Sequence, residues 1–218
     1  ILDADEHITP PLAREISRIV KSDQYDGCFI NRRFMFMGGW LKYCGYYPSW
    51  NLRLLKHDMG RYEKLEVSGD TKSGDNEVHE HIQMHCPEKR IGWLKHDMLH
   101  YAYPDIAAWV EKHNRYSNWE ARVINELHEN RDGSKLEANL FGNPLQRKRW
   151  LKNAAKRLPI RPFIRFCYHY IFKQGFRDGR RGYIFCKLLA WYEFLSIVKA
   201  EELEIQKRKT SQKRKASR

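Results

Sequence analysis

The stretch ILDADEHITPPLAREISRIV (residues 1–20) decides the expected fold, because it joins an apolar start, a group of carboxylates and a helix signal. Its first two residues are apolar and run directly into Asp3, Asp5 and Glu6, a pattern typical of a buried strand that ends at a polar site. Open α/β sheets bind ligands at the carboxyl ends of their strands. We therefore expect an α/β fold in which these carboxylates emerge at the end of a strand.

The segments that follow predict a helix and then several strands. Thr9 suits the N-cap of a helix, and two prolines suit its first turn. Alternation and aromatic content predict strands in GCFINRRFMFMGG (27–39), WNLRLLKHD (50–58), EVHEHIQM (77–84) and RIGWLKHDMLHYAY (90–103). From Asp105 onward the spacing of apolar residues becomes helical.

Charge is concentrated at the C-terminus. The chain carries a net charge of +13, but residues 206–218 hold seven basic and no acidic residues, which leaves only +6 for the remainder. Such a tail (residues 205–218) is predicted to be disordered and solvated, or else to tether the chain to anionic lipid or nucleic acid.

Residues 143–204 mix Lys and Arg with aromatic and aliphatic side chains. This composition is typical of helices that lie in a bilayer interface, although a helical subdomain packed on the main one is an equal alternative. The best apolar run, residues 182–198, is short and contains Lys187 and Glu193, so no membrane span is predicted. Five scattered cysteines without a C-x-x-C pair favour a reducing, cytoplasmic location, with peripheral attachment to the inner face of the plasma membrane as a further expectation.

Asp3 and Asp5 form a D-x-D motif, which could hold Mg²⁺ or Mn²⁺ together with substrate phosphates. The alternative is that both residues cap the turn before the Thr9 helix. Arg53 and His100 are candidates for a contact with a diphosphate or the metal, although each could equally be structural.

The segment DNEVHEHI (75–82) is the second candidate region for chemistry. A carboxylate next to imidazoles suits a general base beside a metal or phosphate site, and a half-exposed polar strand is the alternative. A structural zinc site here is disfavoured because the spacing is too crowded for paired ligands. That zinc site would use His79, His81, His85 and Cys86.

Seven segments then occur in one order and resemble the family 2 glycosyltransferases of the GT-A fold, in particular bacterial enzymes of lipopolysaccharide and exopolysaccharide assembly. They are LDADE (2–6), TPPLAREI (9–16), NLRLLKHDMGRYE (51–63), NEVHEHI (76–82), LKHDMLHYAY (94–103), KHNRYSNWEA (112–121) and FKQGFRDGRRGYIF (172–185). The resemblance implies an inverting, metal-dependent transfer of a sugar from a nucleotide-sugar donor to a lipid-linked or polysaccharide acceptor. Such a transfer needs a base and a metal and no enzyme nucleophile.

The resemblance also implies roles for single residues. Asp3 and Asp5 match the metal-binding D-x-D, with Asp5 as the direct ligand, and His100 matches a position that contacts metal or phosphate. Arg53 and His79 are implied to bind the donor diphosphate. Glu80 is implied to be the base that deprotonates the acceptor, with Asp75 and Glu77 as alternative bases.

The family's nucleotide-binding half would precede the D-x-D motif. Residues 1–142 are therefore expected to be the acceptor and metal part of a GT-A domain, a Rossmann-like nucleotide-diphospho-sugar transferase fold that starts here at the D-x-D strand. On its own, such a part is expected to be inactive. A basic nucleic-acid-binding module without catalysis is the alternative, and it would lose affinity steeply with salt.

Overall fold

A computed structural model describes residues 1–62, 82–129 and 160–216. The strands are β1 (Glu6–Ile8), β2 (Gly27–Phe36), β3 (Gly39–Trp40), β4 (Trp50–Leu55), β5 (Gly60–Tyr62), β6 (Ile82–Met84), β7 (Ile91–Trp93) and β8 (Met98–His100). The helices are α1 (Pro10–Ser22), α2 (Ile106–Glu129), α3 (Arg161–Cys167) and α4 (Gly179–Ala216). The protein is thus a mixed α/β structure with a helical C-terminal region.

The predicted first helix is confirmed, including its cap. Thr9 has an extended backbone and its hydroxyl accepts a hydrogen bond from the Leu12 amide, while prolines occupy the first positions of α1. The apolar stripe of the helix packs Leu12 into the core of the sheet unit, with Ile16 and Ile19 beside it. The N-cap and the stripe are local signals, which is why the sequence alone predicts them.

The expected strand at residues 1–5 is wrong for the described chain. Ile1 and Leu2 are about half exposed and form no strand, and the chain turns at Asp3 before β1 begins at Glu6. A strand needs a ladder of hydrogen bonds to a neighbour, whereas Ile1 makes a single one, from its N-terminal ammonium to the Arg53 carbonyl at 2.7 Å, and no ladder among the described strands includes Ile1 or Leu2. The carboxylates therefore lie at the start of a short strand and not at the end of a long one.

Strand β2 is the centre of the sheet. It pairs antiparallel with β3 and β4 and parallel with β7 and β8, while β1 joins the sheet through an antiparallel ladder with β8. The predicted strand at 90–103 is therefore two short strands, which lie beside different parts of β2. The core of this unit comprises Leu12, Cys28, Ile30, Leu94 and Met98.

The helical unit contains α2, α3 and α4, together with residues 43–45. Helix α2 packs along α4, where Ala121, Ile124 and Ala200 form a small core. A π-helical turn (Tyr168–Phe172) continues α3, and a 3-10 turn (Gly175–Asp178) leads into α4. Among the described residues, no helix combines the length and the apolar character needed to cross a bilayer.

The described chain divides into two compact units. The sheet unit ends at Ala102, and α2 groups with the C-terminal helices, whereas the predicted boundary at 142/143 lies outside the described residues. Residues 205–216, expected to be disordered, continue α4 as a helix. Glu, Gln, Lys and Arg have high helix propensity, and Glu204 pairs with Arg208 one turn later at 2.7 Å, which favours this continuation.

Candidate functional site

The centre of the candidate site is the buried carboxylate of Glu6 at the start of β1. Its Oε1 atom accepts a hydrogen bond from Nη2 of Arg53 at 2.8 Å and another from Nη1 of Arg32 at 3.2 Å. Its Oε2 atom accepts from the backbone amide of Asp3 at 3.1 Å. Three donors satisfy one buried acid, so Glu6 fixes the positions of both arginines and of the turn that carries Asp3.

Asp3 forms an ion pair with Arg53 and does not join Asp5 at a shared metal position among the described residues. The Arg53 guanidinium, which is mostly buried, reaches both Asp3 and Glu6. Burial lowers the pKa of Arg53, but the charges of Glu6 and Asp3 outweigh burial and raise it. The residue expected to bind a diphosphate is thus neutralised by two acids, and it orients Asp3.

The second aspartate of the motif meets His100. Glu6 lies opposite His100 in the β1–β8 ladder, and the Tyr101 amide donates to the Asp5 carbonyl at 2.8 Å, which brings the two segments together. Oδ2 of Asp5 lies 3.4 Å from Nε2 of His100. These two candidate residues therefore lie side by side, and their role at a metal or phosphate site stays a prediction.

His100 has the electrostatics of a neutral imidazole. Burial is the main cause that lowers its pKa, and the nearby positive charge of Arg32 lowers it further, although Asp5 and Glu6 act in the opposite direction. A neutral imidazole can offer a nitrogen lone pair to a metal ion, which a protonated one cannot.

The arrangement fits a cation only in part. Within the described ranges, no group of three or more His, Cys, Asp or Glu residues is placed to hold one ion, so Asp3, Asp5 and His100 do not form a three-residue site. The reason is that Arg53 engages Asp3. Asp5 and His100 remain a two-residue pair, and Mg²⁺ and Mn²⁺ sites commonly use one or two carboxylates plus substrate phosphates.

The loop between β7 and β8 helps to position His100, because it leads directly into β8. The Glu15 carboxylate of α1 accepts from the amides of Lys95 and His96 at 2.9 and 3.0 Å. Asp97 accepts from Nε of Arg33 at 2.7 Å and from the Tyr47 hydroxyl at 3.2 Å. These buried acids hold the loop that precedes β8, and β8 carries His100.

Four predicted residues lie outside the described part of the chain: Asp75, Glu77, His79 and Glu80. The assignment of the base and of one diphosphate contact therefore stays a prediction.

Sequence analysis missed Glu6 and Arg32 as members of the site. Glu6 was seen only as part of the acidic cluster, and Arg32 lies in the middle of the apolar strand β2. Charged residues in the middle of a strand with apolar ends are a signal for a buried ion pair, because a buried charge needs a partner. Its partner is not readable from the sequence, since Glu6 and Arg32 are 26 positions apart.

Comparison with known proteins adds no assignment. No protein-family model matches this chain, and no solved structure matches it. Neither comparison supports or excludes the family resemblance that the sequence segments suggest.

Proposed function

We propose that this chain is the acceptor and metal part of an inverting glycosyltransferase that uses a nucleotide-sugar donor and builds cell-envelope glycans on a lipid-linked or polysaccharide acceptor. The observation that supports the proposal best is the Asp5–His100 pair, with Oδ2 and Nε2 3.4 Å apart. Asp5 belongs to the segment LDADE (2–6) and His100 to LKHDMLHYAY (94–103), two of the segments that resemble the family, and the structure brings these two residues together.

Asp5 and His100 would hold a divalent ion, Mg²⁺ or Mn²⁺, and the imidazole nitrogen favours Mn²⁺ over Mg²⁺. When bound, such an ion supplies a positive charge that stabilises the departing nucleoside diphosphate. Asp5 is partly exposed, as a ligand that meets a substrate must be. Glu6 and Arg53 would not contact the ion themselves. They hold the turn that carries both aspartates.

The acceptor hydroxyl needs a base on the opposite side of the sugar, and Glu80 is proposed for this role, with Asp75 and Glu77 as alternatives. Arg53 can reach a diphosphate only if Asp3 releases part of its guanidinium. His79 is the proposed second contact to the diphosphate.

Binding of Mn²⁺ to this chain tests the metal half of the proposal. Asp5→Asn should weaken Mn²⁺ binding, measured by electron paramagnetic resonance, by at least about tenfold, because it removes the only carboxylate of the pair. Asp58→Asn is the matched control, since Asp58 also lies beside a histidine, His57, at 2.9 Å but on the surface. Equal binding by the Asp5 variant and the parent would contradict the proposed site.

Turnover tests the catalytic half. In the protein that combines this chain with a donor-binding half, Asp5→Asn should abolish metal-dependent sugar transfer, and Glu80→Gln should abolish transfer while donor binding persists. Normal turnover of the Glu80 variant would assign the base to Asp75 or Glu77. If both variants behave like the parent and the chain binds duplex DNA with a steep salt dependence, the nucleic-acid-binding alternative is correct.

A further inference from the structure

Helix α3 and the π-helical turn after it expose large apolar side chains and turn two arginines inward, although Phe166 and Tyr170 also pack inward on Tyr183. A surface helix normally turns its apolar side to the core and its charges to solvent. Here Phe163 and Phe172 have exposed fractions of 64% and 76%, whereas the Arg161 side chain is only 19% exposed. None of the residues of α3 is an apolar residue buried in the core.

The inward-facing charges have a partner in the neighbouring helix. Glu193 of α4 is buried, and its carboxylate accepts a hydrogen bond from Nη1 of Arg165 at 2.6 Å and pairs with Arg161 through its other oxygen. A buried carboxylate between two arginines is a strong constraint, because breaking it would leave a buried charge without compensation. This constraint fixes which side of α3 faces away from α4.

The outward side is continuous and apolar. We call it the apolar face, and it comprises Phe163, Ile164, Tyr168, Ile171, Phe172 and Phe176, each of them exposed by close to half or more. From Phe163 to Phe172, through the helix and the π-helical turn, these residues recur every three to four positions, which favours one side. Phe176 follows in the 3-10 turn, after Gln174 with a left-handed backbone. Large contiguous apolar patches on soluble proteins are rare and mark sites of interaction.

The charge around the apolar face is positive. Residues 160–193 contain seven Lys and Arg residues and two acids: Glu193, which pairs with Arg161 and Arg165, and Asp178, which accepts a hydrogen bond from the Tyr43 amide at 2.8 Å. Lys173, Arg177 and Arg180 follow the apolar side chains along the chain and are exposed. An apolar surface with a basic border complements the acyl boundary and the anionic headgroups of a bilayer.

We propose that the apolar face is the surface by which this protein binds anionic phospholipid membranes, without crossing them. Phe163, Phe172 and their neighbours enter the acyl boundary, while Lys173 and Arg180 contact headgroup phosphates. The proposal does not depend on the transferase function, because it requires neither the metal pair nor the base.

Co-sedimentation with lipid vesicles tests the proposal on the full chain. The parent protein should bind vesicles of phosphatidylglycerol mixed with phosphatidylcholine and bind pure phosphatidylcholine much more weakly. The Phe163→Ser and Phe172→Ser double variant should lose at least about tenfold in partitioning, because it removes two large apolar side chains from the bilayer boundary. The matched control is Val20→Ser with Trp93→Ser, two exposed apolar residues of the sheet unit, which should bind like the parent.

A second variant tests the charge and does not rely on the aromatic residues. Lys173→Gln with Arg180→Gln should weaken binding to the anionic vesicles and reduce the loss of binding caused by about 1 M salt. Equal binding of the parent to both vesicle types, or to neither, would overturn the proposal. A dimer in sedimentation equilibrium that the double serine variant dissociates would also overturn it, by assigning the apolar face to a second copy of the chain.

Discussion

Nη2 of Arg53 lies 2.8 Å from the buried Oε1 atom of Glu6, and the same guanidinium engages Asp3 at the surface. One arginine thus links a buried acid to an acid of the D-x-D motif. The pair connects β4 to β1, two strands that share no ladder.

Replacing Glu6 by Gln should lower the free energy of unfolding by about 3 kcal/mol, because it leaves Arg53 and Arg32 without their shared buried carboxylate. Urea denaturation followed by fluorescence measures the effect. Glu88→Gln is the control, since Glu88 is exposed, and it should change stability by less than about 0.5 kcal/mol. A loss as small as that of the control would mean that the ion pairs contribute nothing to the fold.

Thr9→Ala should destabilise the protein by about 1 kcal/mol, since the Thr9 hydroxyl both caps α1 and donates to the Asp97 carbonyl at 2.9 Å. Thr9→Ser keeps the hydroxyl and should retain most of the stability. Thermal unfolding of the parent, Thr9→Ala and Thr9→Ser measures the contribution of the hydroxyl. Equal melting temperatures for the Ala and Ser variants would contradict this role of the hydroxyl.

Protonation of His113 should weaken the fold in mild acid. Its ring is buried and stacks on Trp109 with centroids 3.5 Å apart, and burial lowers its pKa to about 4. The unfolded histidine titrates near its ordinary value of about 6.5, so the unfolded state binds more protons between the two values. Stability should therefore fall as the pH drops from about 6.5 to about 4, by up to about 3 kcal/mol.

The variant His113→Phe should lose this part of the pH dependence. Free energies of unfolding measured at several pH values provide the comparison, and His57→Gln, at a nearly fully exposed position, should keep the parent's profile. A His113 variant with the parent's slope between pH 4 and 6.5 would assign the acid sensitivity to other groups.

Lys199→Met should remove the hydrogen bonds by which Lys199 of α4 contacts α2. We expect it to lower the free energy of unfolding by about 1–2 kcal/mol. The Lys199 ammonium donates to the Asn114 carbonyl at 2.9 Å, the Ser117 hydroxyl at 2.8 Å and the Asn118 side chain at 2.6 Å. Lys209→Met, at an exposed position of the same helix, is the control. Hydrogen exchange of the α2 amides should increase in the first variant only, and unchanged exchange would show that this contact does not hold the helices together.

Local signals explain which parts of the fold the sequence predicts. Helix α1 was predictable because its signals are local: Thr9 and the prolines act in the first turn, and the residues of the apolar stripe follow each other at helical spacing. Strand β2 was predictable from its run of apolar and aromatic residues. The prediction of a strand at the start of the chain was wrong, because apolar character alone does not supply a neighbouring strand with which Ile1 and Leu2 could form a ladder.

The site was predictable only as a set of residue types. Asp5 and His100 lie close together in the structure. Both were candidates from the sequence because the D-x-D motif and the β8 segment carry recognisable polar residues. The acid with which Arg53 pairs depends on how segments about 50 positions apart pack together, and no local sequence pattern predicts that pairing. The same is true of Arg32, whose buried partner becomes visible only when β1 lies beside β8 and β8 beside β2.

The central position of β2 has a consequence for synthesis on the ribosome. Two of its ladder partners, β7 and β8, follow it by more than fifty residues, and both lie parallel to it. Helix α1, β3 and β4 can pack against nascent β2 early, but its parallel ladders form only after residues 91–100 have been translated. Because such long-range pairing is slow, we expect this interval to be the one in which the chain is most exposed to aggregation.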